Sequence, residues 1–195
     1  MQKERFNMTN VFVTGGTGFL AGWVIRELLE NGYHVTTSIR AMNKSKKVTS
    51  MLEAENVSTA NLDFAVCDLG SADGWEDAMC GCEYVIHTAS PLGGDNMDDS
   101  SLIPIAVEGV EHVLQAAIRA GVKKVVMTSS EAANYPDKKD PNPKIDETFW
   151  TDENNIGDVC DLTHLHVLAM EQDAANGQRF IAESEEMTMR RWQRL

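Results

Sequence analysis

Short apolar runs and longer amphipathic stretches take turns from residue 10 to residue 128. The run around Val11, Phe12 and Val13 reads as a buried strand near 10–14, and helical spacing takes over across 18–31. There Leu20, Trp23, Val24, Leu28 and Leu29 fall on one face, and Asn31-Gly32 supplies a left-handed stop. A second strand is expected over 33–40, a charged helix around 43–55, and a third strand over Leu62–Val66. A short helix near Trp75–Met79 precedes a fourth strand, Tyr84–Thr88, and a polar loop from Pro91 to Ser100. The next helix is long, with Val107, Val110, Val113, Leu114, Ala117 and Ile118 as its expected buried stripe, and it stops at Gly121. A fifth strand, Val122–Thr128, completes the series. Strand and helix in strict alternation define an α/β fold, a doubly wound parallel sheet.

The rhythm breaks after Ser130. Residues 131–157 hold three of the five prolines and many charges, the composition of a long surface loop. A short helix near 161–175, a small strand over Gln178–Ile181 and a charged tail from Glu183 follow. The expected division is therefore a nucleotide-binding domain over 8–157 and a partial C-terminal segment over 158–195.

The chemistry concentrates in the first strand-to-helix turn, Thr14-Gly15-Gly16-Thr17-Gly18. Glycine lets the backbone turn sharply and approach a pyrophosphate, and the helix N-terminus behind it offers N–H groups and a positive dipole end. The strand before and the amphipathic helix after are the context that raises a glycine cluster to a dinucleotide signal. An acidic residue about 20 positions on would select NAD through the ribose 2′-hydroxyl. Here no Asp or Glu occurs between Glu30 and Glu53, and Arg40 ends the second strand. A guanidinium matches a 2′-phosphate, so NADP (NADPH) is expected rather than NAD. Lys44, Lys46 and Lys47 follow in the next loop and could add charge to that site, though each one singly reads as part of a solvated loop.

Bulk properties narrow the rest. A chain of 195 residues allows one ordinary domain. A net charge of −13 argues against nucleic-acid and anionic-membrane partners. No apolar stretch approaches the ~20 residues needed to cross a bilayer, the polar N-terminus lacks a signal-peptide core, and Met8 offers an alternative start. A cytoplasmic protein is expected. The four cysteines include Cys80-Gly81-Cys82, but no second pair completes a metal site. His164 and His166 are two apart and diverge on a helix. No metal is expected.

With these residues in view, the chain resembles the extended short-chain dehydrogenases/reductases, a Rossmann-fold group, in the branch of dihydroflavonol reductase-like and cinnamoyl-CoA reductase-like enzymes. The resemblance rests on Thr14 to Ala21, Cys67-Asp68-Leu69, Gly81 to Pro91, Val126 to Ser130, and Asp146-Glu147-Thr148-Phe149-Trp150. It implies that Gly15, Thr17, Gly18, Phe19, Leu20 and Arg40 bind the cofactor phosphates and neighbouring groups. Asp68 and Leu69 would lie at the adenine, Thr88 and Ala89 along the ribose, and Ser130 (with Ser129 the near alternative) at the carbonyl. The implied reaction is hydride transfer between nicotinamide and a ketone, aldehyde or related carbonyl/alcohol substrate, a small molecule, by a monomer or homodimer.

One departure stands out. The family places a tyrosine and, four residues later, a lysine on a helix; here no tyrosine follows Tyr135 and no lysine follows Lys144. Tyr135-Pro136-Asp137-Lys138-Lys139 satisfies the spacing, but Pro136 suits a turn rather than a helix interior. Residues 158–170 and 177–182 resemble later family segments, a remnant of the substrate subdomain. An internal block is thus expected to be missing near 155–158: either the molecule is an internally deleted form or the sequence as written omits a segment. A catalytically inactive NADP-binding module and a sugar-nucleotide epimerase/dehydratase are the competing readings, and the Asp146–Trp150 segment favours the reductase branch over the latter.

Overall fold

A computed structural model describes residues 8–91, 102–129 and Met170. In chain order these form β1 (Asn10–Val13), α1 (Phe19–Glu30), β2 (His34–Ile39), a 3₁₀ turn (Met42–Lys44), α2 (Ser45–Ala54), β3 (Leu62–Val66), α3 (Trp75–Met79), β4 (Tyr84–His87), α4 (Leu102–Arg119) and β5 (Lys124–Met127). The five strands make one sheet in the order β3-β2-β1-β4-β5, and every pairing is parallel. Val13 is paired with Thr37 on one side and Ile86 on the other. The winding therefore changes direction between β1 and β4, the switch point at which open α/β sheets bind ligands.

Alternation along β1 divides the core. Val11 and Val13 join Val24, Ile25 and Leu28 of α1 and Val48 and Leu52 of α2 in one apolar layer. Phe12, pointing the other way, joins Trp75, Met79, Val85 and Val113 in a second layer with α3 and α4. Trp75 meets Phe12 edge-on at 6.2 Å and donates its Nε1–H to Ser71 O at 2.9 Å, so the indole is packed and satisfied together.

The helix faces need correction. On α1 the buried residues are Ala21, Gly22, Val24, Ile25 and Leu28. Trp23 is 39% exposed, because a residue two before Ile25 projects from the opposite side; Arg26 lies over its ring at 5.1 Å. On α4 the buried residues are Gly109, Val113, Ala116 and Ala117. Three members of the expected stripe, Val107, Leu114 and Ile118, are exposed, Ile118 by 78%. Small residues win that face because α4 comes close: a Cβ at Gly109 would stand 2.9 Å from Leu69 Cβ.

The remaining differences are local. Lys44, Lys46 and Lys47 belong to the 3₁₀ turn and α2 rather than a loop. The fifth strand begins two residues late, since Gly121 (φ 73°) and Val122 close α4 by donating to Ile118 O and Ala117 O. Met170, in the region expected to be helical over 161–175, is helical and buried in the α1/α2 layer. The Pro91–Ser100 loop apart from Pro91, residues 131–157, the 178–181 strand and the tail lie outside the described residues.

Candidate cofactor site

Parallel strands deliver their carboxyl ends to one edge of the sheet, and that edge collects the residues singled out in the sequence. The loop after β1 is shaped by close approach. Gly15 has φ 72°, and a Cβ there would lie 3.0 Å from Ala89 Cβ. At Gly16 a Cβ would come within 2.4 Å of Thr37 Oγ1. Neither position admits a side chain without displacing a strand neighbour.

The loop is tied on both flanks. Toward β2, the Gly15 N–H donates to Ser38 Oγ at 2.8 Å and the Gly16 N–H to Ser38 O at 2.9 Å. Thr37 Oγ1 donates to Val13 O at 2.8 Å. Toward β4, the Thr14 hydroxyl lies 2.8 Å from His87 Nδ1 and accepts from Thr88 N and Ala89 N, each at 3.0 Å. Thr88 Oγ1 returns a hydrogen bond to Thr14 O at 2.7 Å. Gly18 N–H closes the turn onto Gly15 O at 2.8 Å.

At the start of α1 the N-cap residue is Gly18, with no side-chain cap. First-turn N–H groups have no intrahelical acceptor, so this helix end has the chemistry that receives an oxyanion. Thr17, Phe19 and Leu20 line the same turn, Phe19 being 57% exposed. Lys47 reaches across from α2 and donates from Nζ to Thr17 O at 3.1 Å. Arg40 is exposed directly beyond β2. A dinucleotide therefore fits the residues present, with its pyrophosphate at Gly15–Gly18 and the α1 terminus.

Asp68 and Leu69 follow β3 in a braced loop. Asp68 Oδ1 accepts from Gly70 N at 2.8 Å, and Leu69 O accepts from His112 Nδ1 of α4 at 3.0 Å. Thr88 and Ala89 extend β4 beside the glycine loop. The edge thus brings Gly15, Thr17, Gly18, Phe19, Leu20, Arg40, Asp68, Leu69, Thr88 and Ala89 together. Ser130 and Tyr135 lie outside the described residues; Ser129 is exposed just past β5.

Sequence reasoning missed Thr14, Thr37, Ser38, His87, Lys47 and His112. The one available signal was polar: Thr37 and Ser38 are buried polar positions between the buried Val35 and Ile39. Burial pushes the His87 imidazole down to about 4, which keeps it neutral. Burial also pushes the Cys67 thiol up to about 11, and burial with the neighbouring Cys80 does the same to Cys82. Thiols this weakly acidic are poor nucleophiles near neutral pH. Among the described residues there is no cluster of three or more His, Cys, Asp or Glu that could hold a metal, and no helix is long and apolar enough to cross a membrane. An apolar slot between α1 and α2, lined by Phe19, Trp23, Met51 and Leu52, opens beside the first turn of α1.

A parallel sheet with order 3-2-1-4-5 and a glycine turn at its switch point defines a dinucleotide-binding α/β protein. The NAD dependent epimerase/dehydratase family matches residues 11–180, and the chain belongs to that family. Cinnamoyl-CoA reductase 1 of Oryza sativa subsp. japonica is 39% identical over 143 residues, 73% of this chain and 40% of the relative. Dihydroflavonol 4-reductase of Solanum lycopersicum is 35% identical over 146 residues, 74% and 38% of the two chains. Among solved structures, vestitone reductase from alfalfa superposes with a TM-score of 0.57 at 36% identity, covering 73% of this chain and 43% of its own. Gre2 of Candida albicans, solved with NADPH, gives 0.60 at 32% identity, over 73% and 44%. The chain spans less than half the length of these relatives.

Proposed function

We propose that this chain is the NADPH-binding part of a reductase acting on a ketone, aldehyde or related carbonyl. The observation that carries the reading is the pairing of an uncapped, glycine-led helix N-terminus with Arg40 at the end of β2, in a stretch of sequence with no Asp or Glu between Glu30 and Glu53. The first accepts a pyrophosphate and the second a 2′-phosphate. The bound cofactor would supply hydride; this chain's residues hold it. Gly15 and Gly18 permit backbone approach, Lys47 and Arg40 bring positive charge, Asp68 and Leu69 border the adenine, Thr88 and Ala89 border the ribose, and Ser130 orients the carbonyl.

A second reading, a catalytically silent NADPH-binding module, is favoured by one observation of the sequence: no tyrosine follows Tyr135, no lysine follows Lys144, and the Tyr135–Lys139 spacing carries Pro136. Fluorescence titration with NADPH and NADH, followed by turnover assays on a carbonyl panel, separates the two. Binding with turnover supports the reductase and binding without turnover the silent module. No binding of either nucleotide rejects both. Arg40→Asp should weaken NADPH by roughly 10- to 100-fold, the worth of a charge-assisted phosphate contact, and leave NADH nearly unchanged. Equal loss for the two nucleotides would reject the 2′-phosphate role.

A further inference from the structure

The hydroxyl of Thr14 is completely enclosed, with no exposed surface on the residue, and its partner His87 is 2% exposed. A hydroxyl has one proton to give and two lone pairs to offer. Both lone pairs are taken, by Thr88 N–H and Ala89 N–H at 3.0 Å each. The proton must then go to the third neighbour, His87 Nδ1 at 2.8 Å. His87 is therefore an acceptor at Nδ1 and carries its own proton on Nε2. The polarity of the cluster has one solution.

We propose that Thr14 and His87 are positioning residues for the dinucleotide, the Thr14 hydroxyl holding the glycine loop against the Thr88–Ala89 segment at the spacing a bound cofactor needs. The proposal rests on the reading of this edge as an NADPH site, and neither residue touches the cofactor in it. The loop has two flanks with separate anchors. Ser38 secures Gly15 and Gly16 toward β2, while the side toward β4 depends on Thr14. Contact there is already tight, since Gly15 lies against Ala89 with no room for a methyl group. Losing the hydroxyl leaves two N–H groups and an imidazole nitrogen unpaired in a buried space. The β4 extension then moves to recover partners, and the residues facing the ribose move with it.

Thr14→Val keeps the shape and deletes the hydroxyl; Thr14→Ser keeps the hydroxyl and deletes a methyl. His87→Leu removes the acceptor, and His87→Asn restores one near the Nδ1 position. NADPH dissociation constants, taken at a temperature well below every melting midpoint, should rise at least tenfold for Thr14→Val and His87→Leu. Thr14→Ser should stay within about threefold of the parent, with His87→Asn between. A merely structural role would lower the melting midpoints and leave the dissociation constants of the folded variants unchanged, and that result overturns the proposal. Nitrogen NMR on the unmodified chain supplies a test that needs no variant to fold: the Nε2–H tautomer of His87 supports the hub, and a proton on Nδ1 overturns it. Failure of the unmodified chain to bind NADPH rejects the proposed function and the positioning role together, whereas normal binding by Thr14→Val rejects the positioning role alone.

Discussion

Helices α1 and α4 cover opposite sides of the same sheet with different kinds of side chain. α1 sets Val24, Ile25 and Leu28 into the layer under β1 and β2, and turns Trp23 outward beneath the Arg26 guanidinium. α4 is half as long again, yet it buries only Gly109, Val113, Ala116 and Ala117 and presents Ile103, Val107, Leu114 and Ile118 to the outside. What differs is the distance the neighbour allows. Leu69 occupies the space beside Gly109 and His112 grips its carbonyl, so only small side chains fit between α4 and the β3 end. Large apolar residues are a sign of burial where a helix stands off a strand surface, and a poor one where it lies close against a loop.

The heaviest test of this contrast falls on the α1 side. Leu28→Ala should lower unfolding free energy by about 2–5 kcal/mol, the range for emptying a closed core position, read from urea midpoints at constant slope. A loss under about 1 kcal/mol would mean that the α1 layer is no better filled than the α4 face.

Next comes acidity, which acts at the end of β4 on the side shared with Val85. His87 titrates near 4 in the fold against 6.5 when free. Below 6.5 the unfolded chain binds the proton and the folded chain does not, so folding loses ground as pH falls from 6.5 toward 4. Above 6.5 the contribution is complete. The window is worth about 3 kcal/mol, and His87→Asn should flatten that part of a melting-temperature profile. An unaltered profile would show that other groups set it.

Gly109→Ala should cost about 1–3 kcal/mol through overpacking against Leu69, although alanine is the better helix former. A stabilised variant would disprove the close approach. The smallest effect belongs to Ile118→Ala, within about 0.5 kcal/mol, since that side chain is already 78% exposed. A large loss there would restore the stripe expected from periodicity.

Legibility followed the range of the interactions. The β1–turn–α1 unit, β3 and α3 were readable because each rests on neighbours within a few residues: a run of Val and Phe, a glycine turn, a Trp–Met pair. Arg40 was readable as the end of a strand with no acidic competitor. Thr14 and His87 were not, because either residue alone is an ordinary polar position, and their meeting spans 73 residues of chain. Lys47 looked like one more solvated lysine, and its bond to Thr17 O exists only because α2 packs beside α1.

The amino-acid sequence by itself determined the alternation of strand and helix, the glycine turn and the charge at the end of β2, since these depend on local backbone freedom, periodicity and residue chemistry. Tertiary structure alone decided the order 3-2-1-4-5, which face of α4 is buried, and the one-way hydrogen-bond polarity at Thr14. Those depend on how closely distant segments approach, and periodicity along a chain carries no measure of that distance.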